Sequence, residues 1–90
     1  MITYDEVKRQ RNIREHGLDF VGCEVVFDSP VLTEEDSRLH YQEHRINLLG
    51  FLNGFIVHLT YTEREDSLHV ISLRKATSHE IRYFAQKLSK

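Results

Sequence analysis

The alternation of apolar and polar residues is sharpest between positions 43 and 75, where it predicts three successive antiparallel strands. At the centre, Phe51-Leu52-Asn53-Gly54-Phe55 sets an Asn-Gly pair between two apolar runs. Asn-Gly accepts the positive φ angles of a type I′ turn, and a two-residue turn fixes register. Leu52 then faces Phe55, Gly50 faces Val57, Leu48 faces Leu59 and Ile46 faces Tyr61. Period-two alternation assigns that apolar face to the core. The other face pairs Phe51 with Ile56, Leu49 with His58, Asn47 with Thr60 and Arg45 with Thr62, apolar near the turn and polar and cationic at its far end. A five-residue turn from Glu63 to Ser67 returns the chain into a third strand, Leu68 to Lys75. Placing Ile71 and Leu73 on the core face puts Ser72 and Arg74 beside Arg45 and His58. The opposite parity stays open, because a turn of that length does not fix register.

Before this meander the apolar spacing lengthens to that of helices. Thr3-Tyr4-Asp5-Glu6 reads as a capping box, with Ile2 and Val7 as a hydrophobic staple, and Gly17 ends the helix after His16. Lys8, Arg9, Arg11 and Arg14 crowd its surface, either as a solvated face or as a basic helix that meets phosphate or an acidic partner. Asp19 caps a shorter helix whose stripe is Phe20, Cys23, Val26 and Phe27, ended by Asp28-Ser29-Pro30. Cys23 on that stripe reads as a packing residue, with no cationic neighbour in sequence to activate it. Val31-Leu32-Thr33 suggests a short edge strand, Glu34 to Ser37 a polar loop, and residues 38–42 a lead-in to the hairpin. After the third strand, Thr77-Ser78-His79-Glu80 is a second capping box. Ile81, Phe84, Ala85 and Leu88 follow at i, i+3, i+4 and i+7, the stripe of a helix that lies on the sheet. The expected fold is α+β: two N-terminal helices, a three- to four-stranded antiparallel sheet with minor strands at the start and near Val31, and a C-terminal helix. The helices are placed on one side of the sheet.

Ninety residues make a single domain, 1–90. A chain of this size buries about 60–65% of its extended surface. With 40% hydrophobic and 29% charged residues it is neither disordered nor membranous. There is no spanning segment, no signal-peptide pattern and one cysteine, so a reducing cytoplasm is the expected compartment. A net charge of −2 argues against nonspecific coating of nucleic acid but leaves twelve Lys and Arg free to cluster locally.

Gly-rich phosphate loops, Gly-x-Ser-x-Gly elbows and zincin motifs are absent. His40 and His44 are four apart but fall in loop and strand, so no metal site and no cofactor are expected. What remains is a set of Arg45, His58, Glu63, Arg64, Arg74, Lys75 and Glu80 on and around the sheet. RNA cleavage by its own 2′-hydroxyl needs a base, a cation for the phosphorane charge and a proton for the leaving group, and this set permits it. Each residue also has a plainer role: a cap for Glu80, turn charge for Glu63 and Arg64, a salt bridge for Arg74 and Lys75, a core position for His58. In this register Arg74 aligns near Ile56 and lies about 20 Å from Arg64, too far to share one phosphate.

The chain resembles the BrnT toxin family, small ribonucleases of type II toxin–antitoxin pairs with a RelE/ParE-like fold. The resemblance covers nearly the whole chain. It is carried by Tyr4-Asp5-Glu6 with Lys8, Asn12 and His16-Gly17, then Val26 to Pro30, Arg45, Gly50, His58 to Arg64, Ile71 to Thr77, Glu80 and Tyr83. Glu15 departs from the family's basic residue before His-Gly. The resemblance implies metal-independent endoribonuclease activity that inhibits translation. It assigns Arg64, Arg74, Glu63 and His58 to catalysis, and Arg45, Lys75 and His16 to RNA, with His16 or His58 as proton carrier. It further implies a ribbon-helix-helix antitoxin whose complex with the toxin represses their own promoter. A noncatalytic module that docks an acidic protein segment is the competing expectation.

Overall fold

A computed structural model describes residues 1–36 and 44–89. The expected lead-in over 38–42, Ser37 of the expected loop and His40 lie outside them. The elements are β1 (Ile2–Thr3), α1 (Glu6–His16), a 3₁₀ segment (Cys23–Asp28), β2 (Leu32–Glu35), β3 (Arg45–Leu52), β4 (Phe55–Arg64), β5 (Ser67–Lys75) and α2 (Ser78–Leu88).

The β3–β4 hairpin has the expected register throughout, from Leu52 opposite Phe55 to Arg45 opposite Thr62. Asn53 and Gly54 turn it with φ of 52° and 85°. The sheet itself is larger and less uniform than expected: five strands in the order β1-β5-β4-β3-β2, with β1 parallel to β5 and the other pairs antiparallel. Glu34 and Glu35 belong to β2 rather than to a loop, and β2 forms the sheet edge beside β3.

The return from β4 also differs. Arg64 pairs with Ser67, so the turn is Glu65-Asp66 and both Glu63 and Arg64 are strand residues. A bulge then shifts the ladder: Leu73 pairs with Leu59, Ser72 with Thr60, and Val70 with Tyr61. Ile71 is the extra residue, half-buried rather than a core position, and Val70 takes the core place. Together the shorter turn and the bulge move Arg74 two positions from its expected partner, opposite His58 instead of Ile56.

One sheet face carries the main core. Leu48, Leu52, Val57, Leu59, Tyr61, Val70 and Leu73 pack with Phe20, Cys23 and Val26, while Ile46 is half-buried at its border. Burial pushes the Cys23 thiol up to about 11, consistent with a packing role. Phe27 is 40% exposed but stands edge-on to Tyr61. The expected second helix is a 3₁₀ segment. Its expected cap, Asp19, is engaged elsewhere: it accepts from Val21 N–H and from Arg9 Nε and Nη2 at 2.7 and 3.0 Å. Pro30 then leaves room for little more than a turn. Gly50 faces this segment so closely that a Cβ there would meet Val26 Cγ2 at 2.8 Å.

Thr3 is not the cap of α1, and Ile2 and Val7 form no staple. Thr3 lies in β1 with its hydroxyl 2.8 Å from His69 Nδ1, and Asp5 caps instead, accepting from Val7 and Lys8 N–H. Val7 is 66% exposed while Ile2 packs at the core. The helix ends as expected, with Gly17 N–H donating to Ile13 O. The buried residue of α1 is Asn12, which donates to Leu18 O and Leu73 O and accepts from Leu73 N–H. Since β1 pairs only with Leu68 and His69, Asn12 completes the open edge of β5 as a further strand would.

The helices do not share one side. α2 covers the opposite face, where Phe84 is buried and meets Phe51 edge-on, centroids 5.4 Å apart. Its capping box is complete in both directions. The rest of the expected stripe is not buried: Ile81 and Leu88 are 41% and 40% exposed, and Ala85 is exposed.

Candidate functional site

The α2-side face of the sheet is organised in rows that the register defines. The first row is Leu32, Leu49, His58 and Arg74; the second is Glu34, Asn47, Thr60 and Ser72. Arg45, Thr62 and His69 follow, then Arg64 and Ser67. α2 begins directly after β5, and its first turns roof the first row. Leu32, Glu34, Asn47, Leu49, His58, His79, Glu80 and Tyr83 line a cavity of about 340 Å³ that is open to solvent on one side.

Arg74 and Glu80 form a two-pronged ion pair, Nη1 to Oε1 at 2.8 Å and Nη2 to Oε2 at 3.0 Å. Glu80 Oε1 also accepts from Thr77 N–H at 2.9 Å, so one carboxylate both caps α2 and orients the guanidinium. Arg74 holds the Glu80 carboxyl down at about 2. His58 stands opposite Arg74 on the neighbouring strand. Burial, reinforced by the Arg74 charge, lowers the His58 pKa, and Glu80 pulls it partly back. Its imidazole is therefore neutral at neutral pH, and its buried Nδ1 makes no hydrogen bond among the described residues. A neutral imidazole beside a fixed cation can accept a proton where negative charge then develops.

Not all the expected site residues meet here. His58 and Arg74 do. Arg45 and Arg64 share this face but stand toward its other end; Arg64 is six residues along β4 from His58, about 20 Å. Glu63 and Lys75 fall on the opposite face by alternation, and Lys75 Nζ sits 4.1 Å from the centroid of Phe55. His16 is exposed at the end of α1, where it borders a separate, smaller pocket with Lys8, Arg11 and Ser72. Among the described residues no group of three or more His, Cys, Asp or Glu is placed to hold a metal ion. His44 instead stands 2.9 Å from Glu35.

Sequence reasoning missed Glu34, Asn47, His79 and Tyr83 as neighbours of His58. For Asn47 the hairpin register already held the signal. The two α2 residues required knowing which sheet face the helix covers. No described helix is long and apolar enough to cross a membrane.

Set against known protein families, the chain matches over residues 4–80 the family described as ribonuclease toxin, BrnT, of type II toxin-antitoxin system. The comparison with curated proteins gave no match.

Proposed function

The chain belongs to the BrnT family of ribonuclease toxins of type II toxin–antitoxin systems, and from that premise we propose that it cleaves single-stranded RNA in the cytoplasm at the His58–Arg74 site and thereby inhibits translation. The observation that carries this reading is the row in which a neutral, half-buried His58 lies opposite a guanidinium fixed by Glu80. His58 takes the proton of a ribose 2′-hydroxyl. The O2′ attacks the adjacent phosphorus, the P–O5′ bond breaks, and His79 from the same cavity protonates the leaving 5′-oxygen. The products are a 2′,3′-cyclic phosphate and a 5′-hydroxyl end. Arg74 faces the charge that builds on the phosphorane. Arg45 and Arg64 hold backbone phosphates farther along the same face, whereas Glu63, Lys75 and His16 act at a distance from the scissile bond.

The chemistry runs without a divalent metal. The two carboxylates at the cavity are Glu34 and Glu80, and Glu80 is committed to Arg74 and the helix cap. Membership in a type II family implies an antitoxin partner. We read that partner as a ribbon-helix-helix protein whose complex with this chain binds their shared promoter.

The test is RNA cleavage by the purified protein in EDTA. His58→Ala lowers the rate about a hundredfold or more, Arg74→Ala about a hundredfold, and Arg64→Ala less than either. Full activity of folded His58→Ala and Arg74→Ala would remove the site from this face. Loss of wild-type cleavage in EDTA would overturn the metal-free mechanism.

A further inference from the structure

We propose that the cavity under α2 is a pocket for one unpaired guanine base, read by Glu34 and Asn47, so that cleavage falls on the 3′ side of guanosine. This rests on the reading of His58 and Arg74 as the cleavage site. The cavity, about 340 Å³, is near the small end of ligand pockets, roughly 300 Å³. It suits one nucleoside rather than a length of chain. Leu32 and Leu49 supply an apolar floor, and Tyr83, 37% exposed, supplies an aromatic wall. Bases splayed out of single strands are held on such surfaces.

The polar groups select the base. Glu34 and Asn47 are directly opposed on β2 and β3. Asn47 Oδ1 accepts from the Thr60 hydroxyl at 2.9 Å, which leaves the Asn47 N–H groups for a ligand acceptor. The Glu34 carboxylate is exposed on the edge strand and has no hydrogen bond or ion pair among the described residues. An uncompensated carboxylate repels phosphate, so this part of the cavity does not suit the RNA backbone. It does suit a base edge rich in donors. Guanine presents N1–H and N2–H side by side, which a carboxylate accepts in parallel, with O6 adjacent to take the Asn47 N–H. Adenine, cytosine and uracil each bring one donor site to that carboxylate and leave an oxygen unpaired. The Glu34–Asn47 row is two strand positions from His58, about 7 Å. That separation is comparable with the span from a base edge to its own ribose, whose 2′-hydroxyl then reaches His58.

The full-length protein is tested on a single-stranded RNA of mixed sequence, with the cleavage ends sequenced. In parallel, binding of guanosine 3′-monophosphate and adenosine 3′-monophosphate is measured by calorimetry. Cleavage should follow guanosine over other bases by on the order of tenfold or more. Glu34→Ala should abolish that preference, and replacing guanosine by inosine, which lacks the N2 amine, should weaken it. Cleavage without base bias, or with a bias that Glu34→Ala leaves intact, overturns the pocket while the proposed ribonuclease stands. Absent cleavage with Glu34-dependent selection of the guanosine nucleotide supports the pocket and overturns the ribonuclease reading. Neither cleavage nor selection overturns both. Glu34 is exposed and its carboxylate has no partner among the described residues, so its substitution leaves the fold intact, which unchanged thermal unfolding verifies.

Discussion

Replacing Asn12 by alanine probes how α1 is held to the sheet. The Asn12 amide receives Leu73 N–H at 3.1 Å and donates to Leu73 O at 2.8 Å and Leu18 O at 2.9 Å. Leu73 is fully buried, and β1 stops short of its edge. In Asn12→Ala the N–H and C=O of Leu73 lose their partners in a place water reaches poorly. Each unsatisfied buried group costs about 1–3 kcal/mol, while the half-buried Leu18 carbonyl rehydrates at little cost. The expected loss is therefore about 2–6 kcal/mol, a large share of the roughly 5–15 kcal/mol of a small domain. Asn12→Asp should be worse than alanine, since it keeps the acceptor but sets a buried carboxylate against two carbonyl oxygens. Urea unfolding monitored by circular dichroism, with the slope checked for constancy, gives the difference. Hydrogen exchange at the Leu73 amide should accelerate in step. A loss below about 1 kcal/mol with that amide still protected would refute the role assigned to Asn12.

Phe84→Ala should cost about 3–5 kcal/mol by urea unfolding, because Phe84 is the buried residue of α2 and pairs with Phe51; a cost under about 1 kcal/mol would mean that α2 is not docked in the free chain. Gly50→Ala should destabilise by about 1–3 kcal/mol, since its Cβ would lie 2.8 Å from Val26 and 3.1 Å from Val31. An unchanged unfolding midpoint would show that the 3₁₀ segment yields freely. With pH, two losses of stability are expected. His58 has a folded pKa below 6.5, so its contribution is full above 6.5 and is lost as pH falls below it. Glu80, held near 2 from 4.5, contributes fully above 4.5 and loses its contribution as pH falls toward 2. His58→Gln should remove the first step alone and Glu80→Gln the second; if each variant keeps its step, those groups do not carry the transition.

Legibility followed how local each determinant is. Asn53-Gly54 fixes its own turn geometry, so every pair of the hairpin down to Arg45 opposite Thr62 was readable from sequence. Thr77 and Glu80 likewise satisfy one another within four residues. Thr3 misled because its hydroxyl and backbone are claimed by β5, 66 positions away, which leaves the cap to Asp5. Asp19 misled for a related reason, being held by Arg9 across the loop. The bulge at Ile71 breaks the period-two rule itself: Leu73 and Val70 both face the core although they are three apart. No alternation count anticipates that, and it is why Arg74 lands beside His58. In the site, His58 and Arg74 were legible as members of one face. Their relation to His79, Glu80 and Tyr83 was not, because amphipathicity shows that α2 has a buried side and not which side of a sheet receives it.

The two faces of the sheet carry unequal shares of the folding energy, and that inequality bears on the site. On one face, three residues from the region before β2 (Phe20, Cys23 and Val26) are sealed against seven from the strands, so the sheet keeps its core without any contribution from α2. On the other, α2 is held by Phe84, by its connection to β5 and by the Arg74–Glu80 pair, whose members remain partly exposed. A partly exposed ion pair contributes little, on the order of 1 kcal/mol or less. The roof of the cavity is thus fastened mainly by one phenylalanine, while its floor is built on the sheet, from β2, β3 and β4. Opening of α2 should therefore cost less than global unfolding and leave β4 and β5 paired, with His58 still opposite Arg74 but with the guanidinium released from Glu80 and His79 withdrawn. Docking of α2 therefore completes the row over a sheet that is already formed, bringing Glu80 to the Arg74 guanidinium and His79 to the cavity.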